Sequence, residues 1–163
     1  MKNTKYRLTN NAIENPLGVV LYQIEALKDI GDYVKKGDLG GYIEKEENLS
    51  VYGEAWVSGE AQVYGEAWVS GEARVYGEAR VSGKAQVYGQ YSFLLIDSIG
   101  SRNASLFVGI DKNKDLVICT GCFTGDEKEF LSAVKETHGN NIHAQAYKKA
   151  IEFAKTYIQV EHV

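Results

Sequence analysis

From residue 51 to residue 89 the chain repeats itself every six residues, beginning Val51-Tyr-Gly-Glu-Ala-Trp and Val57-Ser-Gly-Glu-Ala-Gln. Valine returns at seven consecutive steps: Val51, Val57, Val63, Val69, Val75, Val81 and Val87. A glycine follows each valine two residues later, and an alanine precedes each from Val57 onward by the same distance. Residues two apart point to one face of a strand, so Ala and Val face inward and the residue between them faces outward. The Tyr/Ser-Gly-Glu that follows is a corner, where glycine supplies the positive φ of a sharp turn. A helix is excluded, because a glycine in every six residues costs about 1 kcal/mol each time and the period is not 3.6. The pattern predicts a three-sided coil of short parallel strands.

Three sides of six place each residue on the one 18 further along. Trp56 then falls on Arg74, an arrangement suited to a cation–π contact of roughly 0.5–2 kcal/mol. Glu54 falls on Glu72 and Glu60 on Glu78. Upstream, Ile43 and Leu49 keep the six-residue register in the alanine slot, so the coil is expected to begin near Gly40 and to occupy residues 39–91. So short a stack leaves open ends, and it calls for capping by the flanks, side-by-side assembly, or both.

These repeats resemble the hexapeptide-repeat family of left-handed parallel β-helices. The resemblance covers about a third of the chain. It implies a left hand, which the spacing alone does not give, and a homotrimer, with Trp56, Tyr64, Trp68 and Arg74 as expected interface residues. The Gly37-Asp38-Leu39-Gly40-Gly41 that leads into the repeats resembles the opening of hexapeptide proteins found in bacteria and temperate phages.

The flanks differ from the repeat. Residues 1–38, with strand-like runs at 6–9 and 19–27, predict an N-terminal β cap. Residues 92–163 predict a small α+β module: strands at 93–96, 105–110 and 116–119, then a helix from Asp126 stopped by Gly139, and a second over 143–157. The expected fold is thus mainly β, a β-helix with an N-terminal cap and a C-terminal β-β-β-α-α module. Ile99-Gly-Ser-Arg-Asn103, Gly121-Cys-Phe123 and Lys135-Glu-Thr-His-Gly139 resemble a C-terminal module attached to hexapeptide repeats in phage and prophage proteins.

Three chemistries are suggested by residue type. Acyl transfer, the common activity of hexapeptide enzymes by resemblance, needs a histidine base in the coil to deprotonate the acceptor. Residues 39–92 hold no histidine; His138, His143 and His162 all lie beyond them. Acyl transfer is therefore the weakest expectation, and no catalytic residue is assigned. Zinc is the second. Cys119-x2-Cys122 followed by His138-x4-His143 falls within zinc spacing, although Gly139-Asn140-Asn141 interrupts the helix that finger histidines usually share. Core cysteine and surface histidine are the favoured reading, and no cofactor or metal is expected. The third is Gly100-Ser101-Arg102-Asn103, where an arginine among small hydrogen-bonding residues can clamp a phosphate or carboxylate bidentately. Ser101, Arg102, Asn103 and His138 are the candidate ligand-binding residues.

Charge and hydropathy narrow the setting. The net charge of −4 is spread evenly, with 7 basic and 8 acidic residues in 1–48 and 8 and 9 in 91–163. No segment has the clustered positive charge of a nucleic-acid footprint. No apolar run approaches the roughly 18 residues of a membrane span, and no signal-peptide core opens the chain. A cytoplasmic protein is expected, in the host cytoplasm if phage-encoded. The leading functional expectation is a non-catalytic trimeric scaffold presenting its C-terminal module to a host protein. The alternative is a counter-defence protein that sequesters a small anionic, nucleotide-type signal.

Overall fold

The computed structural model describes residues 2–89 and 92–160. The predicted end of the coil at Tyr91 and the third histidine, His162, lie outside the described residues. The chain opens with β1 (Tyr6–Glu14) and β2 (Val20–Ala26), an antiparallel hairpin. Then comes β3 (Leu39–Ile43), antiparallel to β2 and parallel to the coil, followed by a single 3-10 turn over Glu46–Asn48. Six two-residue strands follow: β4 (Trp56–Val57), β5 (Gln62–Val63), β6 (Trp68–Val69), β7 (Arg74–Val75), β8 (Arg80–Val81) and β9 (Gln86–Val87). The first three pair in parallel with the strand three places on, so β4 meets β7, β5 meets β8 and β6 meets β9. The chain therefore returns to the same ladder after every third strand.

The interior follows the Ala-x-Val pattern. Ala55, Ala61, Ala73, Ala79 and Ala85 are fully buried, as is every valine from Val57 to Val87 in the series. The corners need glycine: Gly53 and Gly71 have φ of +68° and +64°, and a Cβ on Gly71 would lie 2.3 Å from the Tyr88 carbonyl oxygen. Successive rungs approach through their corner backbones, so no side chain fits there.

The first rung departs from the predicted register. Ile43 pairs with Val63 and Leu49 with Val69, so both occupy the valine column and not the alanine slot. Val51, counted as the first valine of the series, is displaced by Leu49 and lies half-buried against the side of the core. The regular register starts only at Gly53, and the two-residue slip falls between Ser50 and Gly53. There the backbone carbonyls need partners from elsewhere. The N-terminal cap provides them: Lys5 Nζ donates to the carbonyls of Ser50 (3.0 Å) and Tyr52 (3.4 Å), and the Tyr6 hydroxyl lies 2.7 Å from that of Leu49.

Both ends of the coil are closed within the chain. Tyr6, Ile24, Ala26, Ile30 and Val34 seal the first rung. The last is sealed by the C-terminal sheet of β10 (Phe93–Ile99), β11 (Ala104–Ile110), β12 (Leu116–Thr120) and β13 (Phe123–Gly125). Strand alternation divides β11 between two cores. Phe107 faces the coil with Phe93, Val117 and Cys119, whereas Leu106, Val108 and Ile110 face two helices. The helices are α1 (Glu127–His138) and α2 (Ile142–Val160). The module is thus β-β-β-β-α-α; β13, only three residues long, was not predicted. Asp126 caps α1 through a capping box, its carboxylate accepting from the Glu129 amide at 2.8 Å while the Glu129 carboxylate accepts from its own at 3.0 Å. Among the described residues no helix is long and apolar enough to cross a membrane.

Candidate functional site

Where the C-terminal module meets the coil, a groove of about 1320 Å³ opens. Its floor is apolar: Ile110, Leu116 and Val117 from β11 and β12, with Leu131 of α1 and Ile158 of α2. One wall is the turn between β11 and β12. It is held by Asp111, whose carboxylate accepts from the amides of Asn113 (2.7 Å) and Asp115 (3.0 Å). The opposite wall is the first turn of α1, tied to α2 where Lys155 donates to both Glu127 oxygens at 2.9 and 3.0 Å. The coil closes one end with the corner Gly83-Lys84.

The rim is where charge is unspent. Asp126 and Glu129 are committed to the helix cap, Asp111 to its turn and Glu127 to Lys155. Lys84, Lys114 and Lys128 meet no carboxylate within ion-pair distance among the described residues. The groove thus joins an apolar floor to a rim of mixed charge, in which the Asp115 carboxylate and the ammonium groups of Lys84, Lys114 and Lys128 have no ion-pair partner among the described residues.

The predicted ligand residues are placed at another point of the same module. Ser101, Arg102 and Asn103 form the exposed turn between β10 and β11, with Asn103 at a φ of +49°. The neighbouring Gly100 sits against Tyr147, so closely that a Cβ would clash with the phenol. Tyr147 also meets His138, with ring centroids 6.0 Å apart, and His138 meets His143 at 5.6 Å. Tyr147 therefore links the Gly100 turn to the histidine pair. The Gly121 carbonyl accepts from Arg80 of β8 at 3.2 Å.

The predicted zinc set is split by the sheet. Cys119 faces the coil core, its sulfur 3.8 Å from both the hydroxyl and the carbonyl of Ser82, and burial pushes its thiol pKa up. The raised thiol disfavours the thiolate that a metal needs. His138 and His143 lie on the helical side. Among the described residues no three His, Cys, Asp or Glu side chains are grouped to hold a metal.

The expected interface residues also separate. Trp56 is 5% exposed and Tyr64 7%, so neither faces outward as an interface anchor would. The loop from residue 27 to 38 folds over Trp56, while Tyr64 packs with Leu21 and Tyr42 beneath the hairpin. Arg74 finds its cation–π partner in Tyr33, 3.7 Å from the ring centroid, and not in Trp56 as predicted. Trp68 remains outward at 41% exposure. The groove itself was missed by sequence reading, since its residues come from five separate elements. The one available signal was the charged run of Asp111, Lys112, Lys114 and Asp115 between two expected strands.

No family model matches the chain, and no curated protein matches it.

Proposed function

We propose that this chain is a non-catalytic binding scaffold: a left-handed β-helix that assembles as a homotrimer and holds out its C-terminal module to a partner protein. The observation that carries the reading is the groove between coil and module, with its apolar floor and the free ammonium groups of Lys84, Lys114 and Lys128. The occupant is a partner segment of apolar residues flanked by acidic ones. Trp68, the tryptophan left outward on the coil, is the trimer anchor. A phage or prophage origin, and with it a host partner, rests on the resemblance of the repeats and of the C-terminal segments.

The test is selection of displayed peptides on the protein, with counter-selection on the Lys84→Glu/Lys114→Glu variant. Enriched peptides should combine apolar and acidic residues and lose at least about tenfold in affinity on the variant. Enrichment of peptides that bind both proteins equally would remove the groove from the reading.

A second reading is supported by the contact of Tyr147 with both the Gly100 turn and His138. In it, Arg102 and His138, with Ser101 and Asn103, capture a small anionic molecule of nucleotide type, as a counter-defence protein would. Titration calorimetry with a panel of mono- and cyclic dinucleotides decides this. A bound nucleotide whose affinity survives Arg102→Ala places the site elsewhere, and silence across the panel ends the reading.

A further inference from the structure

A second, smaller cavity of about 310 Å³ lies on the coil itself, roofed by the loop that joins β2 to β3. It is at the small end of ligand pockets, which run roughly 300–1,000 Å³. Its apolar wall is made by Ile30, Val34 and Trp56, each less than a tenth exposed. Its polar groups are Arg74 from β7 and Glu54 from the corner before β4.

Neither charge has an ion-pair partner among the described residues. The guanidinium carbon of Arg74 lies over the Tyr33 ring, 3.7 Å from its centroid. Among the described residues none of its donors meets an acceptor, and no carboxylate is within ion-pair distance. Glu54 is pressed against the backbone of Gly31, where an added Cβ would lie 2.7 Å from Oε2. Its carboxylate accepts no hydrogen bond from a described residue, and the nearby Lys5 ammonium is spent on the carbonyls of Ser50 and Tyr52. Asp38 borders the same space, but its Oδ2 already accepts from the Lys35 amide at 2.7 Å.

The occupant follows from this arrangement. A guanidinium with free donors suits a planar anion, taken bidentately. Two carboxylates beside it repel a polyphosphate, so a nucleotide is the wrong shape of charge here. Glu54 requires a donor, best an ammonium, and the wall of Ile30, Val34 and Trp56 requires an apolar body. We propose that this cavity binds a small zwitterion, an amino acid whose carboxylate docks on Arg74, whose ammonium faces Glu54 and whose apolar side chain lies on that wall. The site is independent of the groove proposed above, and neither depends on the other being occupied.

The experiment is calorimetry and thermal unfolding of the intact protein with phenylalanine, leucine and the ω-amino acid aminohexanoate as probes. N-acetylphenylalanine and phenylalaninamide, each lacking one charge, serve as controls, with inorganic phosphate as a simple anion. At least one zwitterion should bind and raise the unfolding midpoint, and the controls should bind at least about tenfold more weakly. Phenylalanine and leucine against aminohexanoate reports the separation of the two charges. Arg74→Gln and Glu54→Gln should each lose a similar factor. Glu54 is exposed, so its variant keeps the test open even if Arg74→Gln does not fold. No binding by any zwitterion at millimolar concentration overturns the proposal. So does equal binding of the one-charge controls or of phosphate, or unchanged affinity in Glu54→Gln.

Discussion

Leu49 stands on Val69 in the inward column of the coil, in the place that the repeat assigns to Val51. The displacement arises because a leucine fills the end of the column better than a valine and because Lys5 and Tyr6 can bond the carbonyls that the slip exposes. The two residues should therefore differ sharply. Leu49→Ala removes a side chain that is 1% exposed and should cost about 2–5 kcal/mol. Val51→Ala, at a half-buried position beside the column, should cost about 1 kcal/mol. Urea unfolding of the two variants measures this, and equal losses would restore Val51 to the column.

The same junction carries a pH dependence. Lys5 is fully buried, and burial, reinforced by Lys28 and opposed by Glu54, lowers its pKa from 10.5 to about 8. The unfolded chain therefore binds the Lys5 proton more tightly than the folded one, and stability rises as pH climbs from about 8 towards 10.5. Tyr6 acts in the opposite sense. Burial first, then the charge of Glu46, holds its phenol well above the ordinary 10.0, so its contribution is lost as pH passes that value. The Lys5 and Tyr6 contributions together should peak near pH 10. Lys5→Met should remove the rising limb, and Tyr6→Phe the falling one. A Lys5→Met protein that still gains stability from pH 8 upward would assign the effect to another group.

The coil was legible because its signal is local and repeated: one small inward residue, one valine and one glycine per side. The α1 cap was legible for the same reason, since Asp126 and Glu129 lie within one turn. What the sequence hid depends on distant pairs. The slip at Ser50 becomes visible only when Lys5 and Tyr6 are brought to it from the N-terminus. Trp56 reads as outward from its position between Ala55 and Val57, and it does lie on the outer face. The loop bearing Tyr33 then covers it, which no local pattern announces. Cys119 was readable as a core residue from strand alternation. The free lysines of the groove were not, because availability depends on which carboxylates are spent elsewhere.

Gly100 provides a test of the link between the candidate anion turn and the helices. Its φ is +76°, and a Cβ there would strike the hydroxyl end of Tyr147. Gly100→Ala should cost about 1–2 kcal/mol for the left-handed backbone. Overpacking should add about 1–3 kcal/mol. Adding Tyr147→Phe takes away the nearest atom and should recover part of the second term only. A double-mutant cycle on unfolding free energies reads that coupling directly, and strict additivity would mean that the turn does not rest on Tyr147.

The two tryptophans separate the chain's own stability from its assembly. Trp56 is 5% exposed beneath the loop, so Trp56→Ala should cost about 3–5 kcal/mol in unfolding. Trp68 leaves 41% of its surface uncovered and is paired with Gln86 in its ladder. If it anchors three chains together, Trp68→Asp should turn the sedimenting species from trimer to monomer. The same variant should leave the circular dichroism of the coil intact. A single charge placed in a desolvated interface suffices for this, because the charge is left unpaired on association. Wild-type protein that sediments as one chain, or a Trp68→Asp protein that keeps its three-chain species, would take the anchor role away from Trp68.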